Sequence, residues 1–192
     1  MWTTNGDIWQ VNLIASRHTQ NSVRLRAGWN LISFNVEPAD RSVPAVLRPI
    51  LGTFSRVLSM DCEQGGLTYY PDLPPFMNTL KEMGPIAGYW IEVDRDIELV
   101  IPGVQVPAFM PLPLCKGYNL VSYLPTAPMP VADALQSIDG LYVSVMSFDP
   151  ELGALSYYPD LPPGLNNLQQ MEPRRGYWIK MRQDAVLIYP TP

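Results

Sequence analysis

The pattern of apolar and polar positions predicts many short β-strands and two short helices. Alternation is clearest in 88–93, where every second residue is apolar, and the same pattern returns in 176–181. Segments 42–50 and 130–138 instead place apolar residues three, four and seven positions apart, which is the spacing of one helical face. Helices of this length are not stable alone, so we expect both to pack on a sheet.

One segment, 29–34, is apolar on both faces of its predicted strand. Trp29 and Leu31 fall on one face, and Ile32 and Phe34 on the other. Strands of this kind are typical of positions that are covered on both sides. We therefore expect this strand to be central in its sheet.

One heptapeptide, Tyr-Tyr-Pro-Asp-Leu-Pro-Pro, occurs twice in the chain. It begins at Tyr69 and again at Tyr157, 88 residues later. The predicted elements on either side recur at the same spacing, which is 89 residues in the first strand. Gly65 and Gly153 occupy matching turn positions, where a positive φ is expected. We interpret this repetition as a tandem duplication.

The predicted fold is mainly β, a tandem duplication of a small antiparallel β-module with about five strands and one short helix in each copy. The predicted units are an N-terminal arm at 1–22, a first module at 23–104 and a second module at 105–192. The arm either closes a sheet edge of the first module or ends an upstream domain. Four prolines in 102–113 indicate a stiff, extended linker. Because a unit of about 80 residues buries only a modest core, we expect the modules to share an interface.

Composition and charge exclude two classes of partner. The net charge of −5 provides no basic footprint for nucleic acid. No apolar segment approaches the ~20 residues that a membrane span requires, so no membrane insertion is expected. The N-terminus shows no basic region followed by an apolar run, so we expect no signal peptide within this sequence. The 21 prolines favour strands and turns over helices.

Few residues offer catalytic or metal-binding chemistry. The only histidine is His18, and no partner for a catalytic triad is evident. Cys62 and Cys115 do not occupy equivalent places in the two copies, and whether they pair is left open. They also lack the spacing of zinc ligands. We expect no enzyme activity, no cofactor and no metal site.

The repeated carboxylates have more than one interpretation. Asp72 and Asp160 stand at equivalent positions, so they form either an acid–base pair across the modules or, as we favour, two turn-fixing residues that accept backbone hydrogen bonds. Asp61 and Asp149 begin Asp-x-Glu sequences in the hairpin turns. Calcium prefers oxygen ligands of this kind, although full calcium loops contain more of them.

Aromatic residues are the main candidates for a ligand or interface site. Strand alternation places Trp90 on the face opposite Tyr89, and Trp178 on the face opposite Tyr177. These two tryptophans either form a satellite core beneath the proline-rich loops or serve as an interface or ligand platform. The complete set of candidates comprises Trp90, Trp178, Tyr70, Tyr158, Glu92, Asp94, Lys180 and Arg182.

The two mixed faces differ in charge. Glu92 and Asp94 are acidic where Lys180 and Arg182, at the same positions of the second copy, are basic. If the faces pack together, these charges pair across the contact. The alternative is that they are solvated on an outer face.

The repeated motifs resemble a known extracellular module. The first copy reads Gly-Trp-Asn-Leu-Ile-Ser at 28–33 and Gly-Tyr-Trp-Ile at 88–91. The second copy repeats both motifs, with Tyr118 in place of the first tryptophan and Val121 in place of the isoleucine. The chain resembles the "GWNLIS…GYWI" β-rich repeat of bacterial and archaeal extracellular and cell-surface proteins. That resemblance covers nearly all of 23–192 and implies a secreted or cell-surface location with a structural or adhesive role.

The expected function follows from this resemblance. It implies a non-catalytic structural or adhesive module pair of a secreted or surface-anchored bacterial protein, which spaces or assembles neighbouring domains. The alternative is a carbohydrate- or protein-binding module appended to an extracellular enzyme. The expected partners are neighbouring domains and a glycan or protein ligand.

Overall fold

The computed structural model describes residues 18–190, and within this range the fold is mainly β. The strands of the first half are β1 His18–Leu25, β2 Gly28–Ile32, β3 Val36–Glu37, β4 Phe54–Asp61, β5 Gly65–Tyr69, β6 Tyr89–Val93 and β7 Ile97–Gln105. Those of the second half are β8 Leu112–Leu114, β9 Gly117–Ser122, β10 Met129–Pro130, β11 Tyr142–Asp149, β12 Gly153–Tyr157, β13 Gln170–Met171, β14 Gly176–Met181 and β15 Ala185–Leu187. The helices are α1 Val43–Val46 and α2 Val131–Ala134.

Two four-stranded antiparallel sheets form the framework, one in each predicted module. Their strand orders are β2-β6-β4-β5 and β9-β14-β11-β12, which correspond strand for strand. An irregularity between Phe54 and Arg56, where β4 pairs with β6, recurs between Tyr142 and Ser144, where β11 pairs with β14. The repeat in the sequence is thus accompanied by matching strand order and register. That the two halves arose by tandem duplication is our interpretation of the sequence repeat and of the matching strand order.

Smaller sheets complete each half. β7 pairs with β1 on one side and β3 on the other, while β15 pairs with β8, and β10 with β13. Because β1 pairs with β7 along all eight of its residues, the described part of the predicted arm forms a sheet edge of the first module. The predicted boundary at 22/23 falls within β1, and the predicted linker begins inside β7. The rest of the arm, residues 1–17, lies outside the described residues.

Each half has its own hydrophobic core, and each short helix covers one. α1 is followed by a 3-10 turn at Arg48–Ile50, and α2 by one at Gln136–Ile138. The predicted helical face is buried in both copies, in the residues Val43, Val46, Leu47, Ile50, Val131, Ala134, Leu135 and Ile138. Ser42 does not cap α1 with its side chain. Packing rather than capping therefore fixes these helices.

Two buried tyrosines anchor equivalent loops beneath the sheets. The hydroxyl of Tyr89 accepts a hydrogen bond from the backbone N–H of Gly84, and that of Tyr177 from Glu172. Burial raises the pKa of both hydroxyls above the ordinary value. Both phenols are therefore neutral hydrogen-bonding groups of the core.

The prediction that the strand at 29–34 is central in its sheet is wrong. β2 is an edge strand, and so is its counterpart β9. Leu31 and Ile32 are nevertheless 3% exposed. The core of the first module covers the face that carries Ile32, while Gly176 of the second module lies against the side chain of Leu31 and Arg175 bridges to the backbone of Ile32. The apolar pattern therefore reflects contact with the other module.

Candidate functional site

An aromatic pair occupies the outer side of each large sheet. Trp90 meets Trp29 edge to face, with ring centroids 6.0 Å apart. Trp178 meets Tyr118 in the same way, at 6.3 Å. Both predicted tryptophans are half-buried, whereas Tyr118 is 45% exposed. Each pair presents an aromatic surface that is partly open to solvent.

A cation lies over the outer ring of each pair. The guanidinium of Arg56 is 5.0 Å from the ring centre of Trp29, and the ammonium of Lys180 is 5.2 Å from that of Tyr118. Arg56 also donates to Glu92 at 2.7 Å. This hydrogen bond, together with one from Ser55, lowers the pKa of Glu92. The cation and aromatic groups of each face are thus already engaged with one another.

The predicted charge pairing across the two mixed faces is wrong. Glu92 pairs with Arg56, its register partner on β4. Arg182 pairs with Asp160 at 3.1 Å. Each charge finds a counterion within its own module because the neighbouring strand or loop supplies one nearby.

The remaining predicted charges are also satisfied locally. Asp94 lies 3.8 Å from Arg95, and Lys180 covers Tyr118. Trp90 alone of the two tryptophans has a described aromatic contact with the other module, through Phe148, with ring centroids 5.2 Å apart. The two tryptophans therefore do not form one shared centre.

Asparagines, rather than the predicted aspartates, hold the repeated loops. The side chain of Asn78 accepts from the backbone N–H of Tyr70 at 2.8 Å and donates to its carbonyl at 3.1 Å. Asn166 makes the same two bonds to Tyr158, at 2.8 and 3.2 Å. Among the described hydrogen bonds Asp72 accepts none from backbone, so the predicted turn-fixing role is wrong for this residue. The asparagines are buried and the aspartates exposed, which explains the difference.

The hairpin-turn carboxylates fix their own turns. Asp61 accepts from the backbone N–H groups of Glu63 and Gln64, at 2.8 and 3.0 Å. Asp149 accepts from those of Glu151 and Leu152, at 2.8 and 3.1 Å. Gly65 and Gly153, in the same turns, have φ values of 76° and 79°, as predicted. These carboxylates thus have a structural role as Asx-type turn residues.

Two backbone contacts between the modules join the repeated motifs reciprocally. Ile32 forms an antiparallel bridge with Arg175, and Val121, which is the counterpart of Ile32, forms one with Ala87, the counterpart of Arg175. Each module thus uses the same two positions to contact the other. Contacts of this reciprocal kind are typical of a twofold arrangement. The modules therefore meet through equivalent surfaces.

Serines and main-chain groups supply several polar contacts of this interface. The backbone N–H of Ser33 donates to the carbonyl of Arg174 at 2.9 Å, and its hydroxyl donates to the carbonyl of Arg175 at 2.8 Å. The N–H of Ser122, the counterpart of Ser33, donates to the carbonyl of Ile86 at 3.2 Å. Both serines are fully buried. The buried backbone and hydroxyl groups of both serines are therefore paired with the other module.

Two glycines allow the strands to approach this closely. A methyl group at Gly176 would lie 2.8 Å from the carbonyl oxygen of Ile32. One at Gly88 would lie 2.9 Å from the side chain of Leu120 and 3.0 Å from the carbonyl oxygen of Val121. All three distances are shorter than ordinary van der Waals contacts of a carbon atom. The first residue of each Gly-Tyr-Trp motif is thus required by the other module.

A disulfide adds a covalent link between the modules. Cys62, in the turn after β4, bonds to Cys115, in the turn before β9. The open question of cysteine pairing is thereby answered. Because one cysteine belongs to each module, the bond crosses the interface that the two glycines form.

The glycines and serines of the interface are the residues that sequence reasoning missed. In the sequence they stand within the repeated motifs, and no role is predicted for them. A signal was present, since a glycine at the same strand position in both copies indicates close approach of another backbone. What the sequence could not indicate is which backbone approaches.

A comparison of the chain with protein-family models, curated proteins and solved structures finds no match. Among residues 18–190, no helix has the length and apolar character that crossing a membrane demands.

Proposed function

We propose that this chain is a non-catalytic structural module pair of a secreted or surface-anchored bacterial protein, in which it spaces or assembles neighbouring domains. The observation that carries the proposal is the reciprocal interface between the modules together with the Cys62–Cys115 bond across it. A spacer must hold its two ends in a fixed relation. A buried interface supplemented by a covalent link meets that requirement.

The disulfide also supports the proposed location. Structural disulfides persist in secreted and cell-surface proteins and are rare in reducing compartments. The local engagement of the candidate carboxylates supports a non-catalytic role, since Asp61 and Asp149 fix turns and Glu92 pairs with Arg56.

The spacer role is testable as a distance measurement. Spectroscopic labels are introduced as non-canonical amino acids at Leu51 and Leu152, which are 69% and 75% exposed and lie in different modules. We expect one narrow distance distribution in the oxidised protein. A broad distribution would contradict a fixed relation between the modules.

The location is tested separately on intact cells that express the complete gene. A membrane-impermeant reagent is expected to label the protein, and thiol titration is expected to find Cys62 and Cys115 oxidised. Unlabelled protein with two free thiols would contradict the proposed extracellular setting.

A further inference from the structure

The reciprocal interface has two ends, and a cleft lies at each. The first is lined by residues of β1, β2 and the loops around β12 and β14, among them Arg24, Arg26, Phe148, Arg174 and Arg175. It is open to solvent and has a volume of about 690 Å³. We call it the arginine cleft. The second is lined by the equivalent segments of the other copy and encloses about 120 Å³.

The two clefts differ in what holds their walls together. In the small cleft the disulfide joins Cys62 and Cys115. In the arginine cleft the counterpart of Cys115 is Arg26, which forms an ion pair with Glu151 at 2.8 Å. One end of the interface is therefore closed covalently, while the other is bridged by a solvent-exposed ion pair.

The arginines themselves are confined to the larger cleft. Arg24, Arg26, Arg174 and Arg175 correspond in the other copy to residues that carry no charge, namely Pro113, Cys115, Ile86 and Ala87. Two small basic clusters that are 150 residues apart in the sequence meet here because the second module packs on β2. The four arginines therefore line only one of the two equivalent clefts.

Two of the four guanidiniums are available to a ligand. Arg26 is paired with Asp96 and Glu151, and Arg175 with Asp149 and Glu172. Arg24 and Arg174 are exposed and form no ion pair among residues 18–190. Arg174 is also the only non-glycine residue in that range with a positive φ, of 70°. Its strained backbone is held by the hydrogen bond from Ser33, and strain of this kind is concentrated at functional sites.

The rest of the lining limits the charge of the ligand. Four carboxylates, those of Glu98, Asp149, Glu151 and Glu172, also face the cleft, so they would repel a polyanion. They are at the same time acceptors for hydroxyl groups. Phe148 contributes an apolar ring at the wall. These groups together suit a ligand with one anionic group, several hydroxyls and a partly apolar face.

We propose that the arginine cleft binds a sugar that bears a carboxylate, of the uronic-acid class. The planar guanidiniums of Arg24 and Arg174 match the geometry of a carboxylate, which they bind through paired N–H···O bonds. The lining carboxylates accept from the hydroxyls, and Phe148 covers a face of the ring. A volume of about 690 Å³ falls within the range of small-molecule binding sites. This site is independent of the spacer role.

The test is a calorimetric titration of the oxidised protein at low salt with disaccharides of galacturonic, glucuronic and mannuronic acid, each compared with its neutral counterpart. We expect at least one uronate to bind and its neutral counterpart not to bind. Binding is expected to weaken as salt is added, because the contact is partly exposed. Failure of every uronate to bind, or equal binding of the neutral sugars, would overturn the proposal.

Variants locate the binding in the cleft. Arg24→Gln and Arg174→Gln are each expected to weaken uronate binding by about tenfold or more, since a hydrogen-bonded charge is lost. Arg48→Gln is the control, because Arg48 is equally exposed and forms no ion pair among the described residues. It should leave affinity within about twofold, in line with the small effect of exposed substitutions. An equal loss in all three variants, with unchanged unfolding midpoints, would indicate nonspecific charge attraction and would reject the site.

Discussion

Arg174 occupies a backbone conformation that a glycine would adopt more easily. Its φ of 70° costs an L-residue about 1–2 kcal/mol. We expect Arg174→Gly to stabilise the protein by about 0.5–1 kcal/mol, because relief of strain exceeds the added freedom of the unfolded chain. Chemical denaturation measures this change. Destabilisation would show that the guanidinium contributes to folding, and would weaken its assignment to a ligand.

Asp149 provides a prediction on pH. Burial alone would raise the pKa of its carboxyl. The hydrogen bonds from the N–H groups of Glu151 and Leu152 and the charge of Arg175 together lower it by more, so the pKa lies below its ordinary value. The ionised carboxylate therefore contributes stability that is complete above about pH 5 and is lost as the pH falls below about 4. Asp149→Asn should cost about 1–2 kcal/mol at pH 7 and progressively less towards pH 2.

Urea unfolding at several pH values measures this difference between Asp149→Asn and the unaltered protein. Glu63→Gln is the control, since this residue lies in the equivalent turn and forms no described ion pair. A cost that stays constant down to pH 2 would contradict the assigned role of the charge.

At the scale of elements, the Tyr-Pro-Asp-Leu-Pro-Pro loop depends on a residue outside the repeated heptapeptide. Asn78 is 4% exposed and satisfies both backbone groups of Tyr70. We expect Asn78→Ala to cost about 1–3 kcal/mol, because it leaves these groups unpaired. Asp72→Ala, on the exposed tip of the same loop, is the matched control and should change stability by less than about 0.5 kcal/mol. Thermal unfolding would contradict this assignment if Asp72→Ala were the more costly change.

Some features of these elements could be predicted from the sequence, and others could not. The helical faces at Val46 and Ala134, and the positive φ of Gly65, follow from local spacing and turn chemistry, and they were predicted. The edge position of β2 and the role of Asn78 were not. Both depend on contacts between segments distant in sequence, which periodicity does not encode. Strand alternation is local, and it predicts the mixed face of Trp90. The sequence left open whether Glu92 pairs across the modules or is solvated, and the structure pairs it with Arg56 of its own module.

At the scale of the whole molecule, the disulfide joins two modules that already contact one another. Its cysteines are separated by 53 residues, and closing a loop of that length stabilises a protein by about 4 kcal/mol in the chain-entropy model. We expect Cys62→Ser combined with Cys115→Ser to lower the free energy of unfolding by about 2–4 kcal/mol and to leave both modules folded. Unfolding of one module in this variant, detected by circular dichroism and fluorescence, would contradict a link between two folded units.

The central claim is that the two modules form one cooperative unit through the close approach at Gly88 and Gly176. Hydrogen exchange measured on β6 and β14 tests it most directly, in the unaltered protein and in Gly176→Ala. The added methyl group would lie 2.8 Å from the carbonyl oxygen of Ile32 in the first module. We therefore expect the free energy of exchange protection to fall by about 1–3 kcal/mol, by the same amount in both strands. Gly66→Ala, where a methyl group meets nothing within 4 Å, is the control and should change neither strand. A fall in β14 alone, with β6 unchanged, would show that the modules unfold independently and would contradict the account.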